Sequence, residues 1–537
     1  MDRATRIDRT ALLSLLGLLA LAALLRLPSL ATRGTWDSDQ GHDMLVLRSF
    51  VRDGVVPLLG PPTSIGDVHH GAWYYYLLAP AAFLTGGDSP LAVVAAIALS
   101  GIAAAGVTWW LARSIGGPLA GLIAGLLMAV SAAAIDESTF IWNPNLIALS
   151  SSVALAGAWR AWSTGRSRWW LVAAVGTAIT MQCHVLGVAM LPVIGALLVA
   201  ALRRGRRSIG HHRPHGRSGP DGAGVVDRSV VLGCLAILLG SFAPLLVNEL
   251  TTGFSESRAA LDYVAGGRSG GDLALPVRIG IAGLRVVSWP LTGLITAGFV
   301  AGVVATAAIV AVVAWRWRAA DPERTAVRWL GLALAWSTLF LAVAAPSLAT
   351  VVPGLPNDHY HAFADPMVFT LAGLGAAALA RSVPGRALAA TALVALIGWN
   401  LTHLPPAVHP DGGFPGAELA ASRVDAVLSR AGIERDEAVP IRSLPDFKST
   451  ESMAYPIVSL GRSVAADTPR GLSPGSVVPP AVPAGFVLLC DSLFEASIGG
   501  LCGGAAEGMA EARAGFGPLL DRFEAAPGRW VSVYDAP

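Results

Sequence analysis

Charge is what this chain has least of. Only 14% of its 537 residues are charged while 54% are hydrophobic, against roughly 25% charged in a soluble domain. A deficit of that size over so long a chain excludes a soluble globular protein and implies a polytopic membrane protein. Lysine is all but missing: Lys448 stands alone, and the other strongly basic side chains are arginines. With heavy Ala, Gly and Pro use, that bias reflects a GC-rich genome rather than a function. The net charge of +2 carries no sign of a nucleic-acid partner, and none is expected. Carboxylates are absent from the middles of the apolar runs. Acids or interrupted helices there would mark an ion-coupled carrier, so their absence counts against transport.

Apolar runs of about 20 residues are long enough to cross a bilayer. Eleven are expected, near 11–30, 90–112, 118–135, 144–163, 168–185, 187–203, 229–248, 291–315, 328–346, 366–383 and 386–403. The first is long and has no small-residue cleavage site, so it reads as an anchor. Arginines cluster at Arg3, Arg6 and Arg9, and then in alternate loops, most densely between Arg203 and Arg217. The positive-inside rule puts those loops in the cytoplasm. The N-terminus is then cytoplasmic, and the first long loop (31–89) and everything after residue 403 are extracytoplasmic. The Arg- and His-rich stretch with His211, His212 and His215 reads as a flexible cytoplasmic loop meeting anionic lipid.

Beyond residue 403 the character changes. Pro405, Pro406 and the run Gly412 to Gly416 mark a linker. Short apolar runs at 438–444, 486–490 and 530–534 alternate with helical patterns at 417–431, 450–460 and 506–520. The expected fold is therefore an all-α polytopic membrane domain over 1–403 with a small extracytoplasmic α/β domain over 404–537. Cys490 and Cys502 fall in the latter, twelve positions apart in an oxidising compartment, where a disulfide is expected. Cys183 and Cys234 sit in apolar runs and read as buried thiols.

Against this background the first outer loop is conspicuous. Trp36, Asp37, Ser38, Asp39, Gln40, Gly41, His42 and Asp43 place three carboxylates and a histidine just past a membrane helix. The same loop holds His69, His70 and the run Trp73, Tyr74, Tyr75 and Tyr76. The eight histidines outside the basic loop all map to the outer side: His42, His69, His70, His184, His359, His361, His403 and His409. Asp136, Arg258, Arg268, Trp142 and Tyr360 join them. Carboxylates deprotonate a hydroxyl or hold a divalent cation, Arg and His hold phosphate, and aromatic faces suit sugars and prenyl chains. At a membrane surface this set suits a lipid-linked phosphosugar. Each part also has a plain structural reading. Asp-Ser-Asp suits the cap of a helix beginning near Asp43, the Trp/Tyr run suits an interfacial belt, and Asn143, Pro144 and Asn145 suit a helix start.

The order of one span, an acidic outer loop, paired spans and an external C-terminal domain resembles the GT-C glycosyltransferases. Within them, the chain resembles the protein O-mannosyltransferase and aminoarabinose transferase-like group (glycosyltransferase family 39-like). Trp36 to Asp43, with Arg48 and Gly54 beyond, looks like that group's acidic first-loop motif. His69 to Tyr75 falls where the group has a basic residue, small residues and aromatics. Trp142 to Leu146, and Asn357 to His361, each precede a span as in the group. The resemblance implies an enzyme that transfers a sugar from a polyprenyl-phosphate donor to a lipid, glycan or protein acceptor at the outer face, with inversion. It implies Asp39 as catalytic base. It implies His69 or His70 in the lysine-like role on the donor phosphate and Tyr360 as a second phosphate contact; Arg258 and His361 join them as donor-binding candidates by mapping to the same outer face. Asp37, Asp43 and Asp136 are supporting residues or ligands of a divalent cation (Mg or Mn). Gln40 departs from the pattern, which has Glu, and His replaces Lys. The alternatives are a lipid or sugar carrier, and a non-catalytic assembly protein.

Overall fold

The computed structural model describes residues 9–63, 68–209, 226–265, 273–293, 295–349, 359–468, 471–480 and 482–537. Arg268, Asn357, Asp358, His211, His212 and His215 lie outside these residues. Among the described residues, seven helices are long and apolar enough to cross a bilayer alone. They include α1 (Arg9–Arg26) at the N-terminal end and Val383–Thr402 at the C-terminal end of the helical region. A bent pair, Arg228–Gly240 and Ala243–Thr252, makes an eighth. The expected spans at 118–135, 144–163 and 168–185 coincide with the helices Pro118–Val130, Ile147–Thr164 and Trp169–Cys183. The first and last are short, and the middle one carries three consecutive serines, Ser150 to Ser152. Every expected span thus lies on a helix, but only seven or eight reach spanning length with spanning composition. The protein is a multi-pass membrane protein of mostly helical structure with a small C-terminal sheet region.

The break in the 229–248 segment departs from the sequence expectation of uninterrupted spans. It bends by 43°, and groups near it are met by neighbours. The Ser241 carbonyl accepts from Trp73 Nε1 at 3.0 Å and the Ser241 hydroxyl accepts from Gln182 Nε2 at 3.5 Å. A second departure is the helix Leu275–Thr292, which begins with Pro at its first turn and buries its C-terminal half. Its two arginines, Arg278 and Arg285, broke the apolar run that a span requires, so hydropathy passed over it.

The first long loop folds into α2 (Ser38–Arg52), a two-stranded ribbon of β1 (Leu59–Pro62) and β2 (His69–Gly71), and α3 (Trp73–Phe83). α2 starts at Ser38, five residues before the expected start near Asp43. Asp37 is its N-cap and forms a capping box with Gln40, which satisfies backbone donors at both positions. Arg26, fully buried at the end of α1, donates to the carbonyls of Met128 (3.0 Å) and Ala129 (2.8 Å). It thereby satisfies the otherwise orphaned C-terminal carbonyls of the Pro118–Val130 helix. That contact fixes where the following loop, with Trp142, emerges.

The C-terminal sheet has six strands in the order β5-β4-β3-β6-β8-β7, with β3 Val439–Leu444, β4 Val464–Thr468, β5 Gly471–Leu472, β6 Gly485–Asp491, β7 Leu519–Ala526 and β8 Arg529–Asp535. β3 runs parallel to β4 and β6, and β8 runs antiparallel to β6 and β7. The three expected strands are β3, β6 and β8. The helix expected over 506–520 ends at Ala514, and its last residues enter β7. Helix α4 (Gly413–Arg430) and helix α5 (Glu451–Ser459) pack beside the sheet. Cys490 and Cys502 are joined by a disulfide.

Candidate active site

The sheet region docks on the acidic loop through α5. Trp36, buried, donates its indole N–H to the Ser452 carbonyl at 2.8 Å and packs against Phe414 and Tyr455. Ser38 Oγ donates to the Ser449 carbonyl at 2.8 Å. At Gly41 a Cβ would lie 2.1 Å from the Glu451 carbonyl oxygen, so only glycine lets the two backbones approach this closely. The linker adds Asp411, which accepts from Thr35 Oγ1 (2.6 Å) and the Trp36 N–H (3.0 Å).

Within this frame the three loop aspartates differ. Asp37 is ion-paired to Arg529 (3.1 Å) and Lys448 (3.4 Å), both from the sheet region, and those two cations also face Asp491. Burial pushes the Asp37 carboxyl up, but Arg529, Lys448 and the Ser38 N–H outweigh it and hold it below the usual range. Asp43 is buried and accepts from both Tyr74 (2.7 Å) and Tyr75 (2.8 Å). Its carboxyl is pushed up to about 7, chiefly by burial, with His42 and the two tyrosines opposing. These contacts assign Asp43, and the two tyrosines, to holding the loop together. Asp39 is the exposed member of the three. Among the described residues no ion pair involves it. Loss of water from the protein packed around it raises its carboxyl, Asp37 adds to this, and His42 opposes, as does the Trp142 indole N–H that bonds it. Gln40 Oε1 accepts from Asp37 N at 2.8 Å and Gln40 Nε2 donates to the Ile141 carbonyl at 2.8 Å. The residue that departs from the family motif is therefore spent on structure.

On the other side of Asp39 lies a run of aromatic and imidazole rings. Trp142 meets His359 at 4.8 Å and Tyr360 at 5.6 Å between centroids, Tyr360 stacks on His184 at 4.4 Å, and His184 meets His70 at 4.5 Å. The imidazoles are neutral. Burial pulls His70 and His359 down to about 3 and His184 well below its usual value. Their hydrogen bonds fix the tautomers. His70 Nδ1 accepts from the Val185 N–H (3.3 Å) and His184 Nδ1 from the Leu186 N–H (3.2 Å), which leaves Nε2–H of each as donor. Asn145 donates its amide to the Phe140 carbonyl, so its oxygen accepts from His359 Nε2 at 2.7 Å.

Asp39, His70 and Tyr360 are thus linked through Trp142 and His184. His69 is engaged elsewhere: Nδ1 lies 2.9 Å from Glu256 Oε1, and its N–H donates to Glu256 Oε2. Arg258, two residues on, is exposed and donates to the carbonyls of Thr252 and Phe254 at its own helix corner, outside the ring cluster. His361 is fully buried against Trp289 (5.4 Å). There Trp289 also donates to Glu137 at 2.6 Å, and Asp365 lies buried nearby. Asp136 has His409 and Arg33 as its charged neighbours. The sequence did not point to Lys448, Arg529 or Glu451, although the isolation of the single lysine was a usable signal. Within the loop a divalent cation has little to hold it: Asp37 is taken by two cations and Asp43 by two hydroxyls, which leaves Asp39 alone of the three, while Asp136 has His409 and Arg33 rather than Asp39 as its charged neighbours. Cys490, Cys502 and Glu507 are close enough to suggest ligands, but both sulfurs are in the disulfide and offer no thiolate.

Residues 69–217 match the family model of dolichyl-phosphate-mannose-protein mannosyltransferases. No curated protein matches the chain by sequence. Among solved structures, ArnT from Cupriavidus metallidurans bound to undecaprenyl phosphate aligns over 98% of this chain and 98% of its own, with 13% identity and a TM-score of 0.56. The same protein in its apo state aligns over 97% of each chain, with 14% identity and a TM-score of 0.51. From end to end, then, the chain has the fold of the GT-C glycosyltransferases, with the protein mannosyltransferase pattern running from His69 to Arg217.

Proposed function

We propose that this protein is a membrane glycosyltransferase that takes a sugar from a polyprenyl-phosphate donor and passes it to an acceptor hydroxyl at the extracytoplasmic face. The observation that carries the reading is the condition of Asp39: of Asp37, Asp39 and Asp43 it alone is exposed, among the described residues no ion pair involves it, and it stands beside rings that present N–H donors. An acceptor hydroxyl is a weak nucleophile and needs a base beside it. Its proton goes to the Asp39 carboxylate as its oxygen bonds the anomeric carbon. The bond from that carbon to the phosphate oxygen breaks, and the electron pair leaves with the prenyl phosphate, which departs without a proton. Displacement from the opposite face inverts the anomeric centre. The Nε2–H groups of His70 and His184, with Tyr360, hold the phosphate as neutral donors rather than as a lysine-like cation. The carrier reading gains little from the bent pair, because its break is bridged by Trp73 and Gln182.

The test is Asp39→Asn in purified protein with a prenyl-phosphate sugar. Asp37 caps the helix, so the substitution leaves the cap intact. Donor binding should persist while transfer falls by about a hundredfold or more. Turnover within a few-fold of the parent protein would sink the assignment.

A further inference from the structure

His42 and Glu451 are two groups this mechanism does not use, and they meet at the docking seam. His42 Nδ1 lies 3.2 Å from Glu451 Oε1, and the same oxygen accepts from Ser473 Oγ at 3.1 Å. Glu451 is 3% exposed, and its backbone is pinned on both sides by the Ser38–Ser449 and Trp36–Ser452 hydrogen bonds. His42 follows Asp39 by three positions on α2, so the two side chains share a face of the helix. A buried carboxylate that accepts from one ring nitrogen sets the tautomer and orientation of an imidazole and favours its charged form.

Building on the reading of Asp39 as base, we propose that His42 is the positioning residue for Asp39 and that Glu451, brought in by the sheet region, holds His42 in place as an imidazolium. The catalytic site is then complete only when the sheet region is docked. The groups facing His42 are Glu451 from α5 and Asp39 and Asp43 from its own helix. Those facing Asp39 are Asp37, His42, Glu451 and the Trp142 indole. The His42 imidazole is held above its usual range: burial opposes this, but Glu451, Asp43 and Asp39 outweigh it. A fixed positive charge beside Asp39 favours its ionised form, opposing the burial and the Asp37 and Glu451 charges that raise it. His42 stays protonated throughout transfer and neither gives nor takes the reacting proton.

The experiment is the pH profile of transfer in His42→Gln, Glu451→Gln and the double variant, together with the titration of His42 by NMR of labelled histidine. Loss of the imidazolium raises the pKa of Asp39, so the acid limb of the profile should move up by about one pH unit. On the acid side of the limb this reads as a loss approaching tenfold, and on the plateau above it as little change. Glu451→Gln should lower the His42 pKa, and its effect on the profile should shrink once His42 is Gln, since Glu451 acts chiefly through His42. A uniform loss at all pH values, additive shifts, or a His42 titration indifferent to Glu451→Gln would each overturn the inference. The titration needs no substrate. A protein inactive toward prenyl-phosphate sugars would therefore refute the functional reading, while the titration still decides the pairing.

Discussion

The two flanks of Asp39 solve the same problem by opposite means. Toward the sheet region the groups are charged and matched: Asp37 with Lys448 and Arg529, and His42 with Glu451. Toward the membrane helices they are rings: Trp142 and Tyr360, with the imidazoles of His359, His184 and His70, whose burial disfavours their charged form. A charge near a membrane surface is costly unless paired. The first flank supplies the partner from a distant part of the chain, whereas the second keeps its imidazoles neutral and uses them as oriented donors. Asp39 lies between them and, among the described residues, makes no ion pair of its own, which leaves its carboxylate open to chemistry.

The largest expected effect comes from separating the flanks. Gly41→Ala puts a methyl 2.1 Å from the Glu451 carbonyl oxygen and 2.4 Å from its carbon. Backbone atoms on both sides leave no room to adjust, so α5 should be pushed off α2 at a cost of about 3 kcal/mol or more. Limited proteolysis should then cut the linker near residues 404–412, and transfer should be lost. Gly398→Ala, where a Cβ meets nothing within 4 Å, is the control. Intact docking and activity in Gly41→Ala would show that the charged flank is not built by this contact.

Next in size is the disulfide. Cys490 lies one residue before Asp491, which accepts from Lys448 beneath Asp37. Replacing Cys490 and Cys502 by Ser frees a loop of this length at a cost of about 3 kcal/mol to the sheet region. The loss should appear as a lower unfolding temperature for that region, with the helices unaffected. An unchanged melt would mean that the sheet, not the bond, holds this flank.

The sequence made much of this legible, and the limit is instructive. Hydropathy located every helix of spanning composition, and the run from Trp36 to Asp43 pointed to the loop, because local clustering of acids outside an apolar run is unusual. It put Asp39 ahead of Asp37 and Asp43 through the family resemblance and its place near a helix start, not through any contact. Their roles depend on partners such as Lys448 and Arg529, more than 400 positions away in sequence, and on the register of α2, which starts at the cap rather than at Asp43. Likewise His69 and His70 are equivalent as letters. The β2 pleat turns one toward Glu256 and the other toward His184. Arg278 and Arg285 concealed the helix Leu275–Thr292 because charge interrupts an apolar run.

His70→Ala addresses the neutral flank. The loss of one hydrogen bond to an anionic phosphate is worth about 1.5–3 kcal/mol, so donor affinity should fall roughly ten- to a hundredfold while folding changes little. Isothermal titration with a prenyl phosphate measures it. Should affinity stay put in both His70→Ala and His184→Ala, the phosphate is not held by these rings.

The smallest effect is expected at Arg258, and it sharpens the comparison most. On charge alone an arginine on this side of the molecule is the obvious phosphate ligand, and the sequence offered it as one. In the fold its guanidinium is exposed and bonded to the carbonyls of Thr252 and Phe254. Its helix instead sends Glu256 inward to hold His69. If the membrane-side flank works through neutral donors, a solvated cation outside the ring cluster adds only a screened field, which is worth little at physiological salt. Arg258→Ala should therefore change prenyl-phosphate affinity by less than about twofold and should be additive with His70→Ala. A loss as large as that of His70→Ala, shrinking as salt is raised, would mean that the donor phosphate is held by charge after all, and that the two flanks of Asp39 differ less than their hydrogen bonds imply.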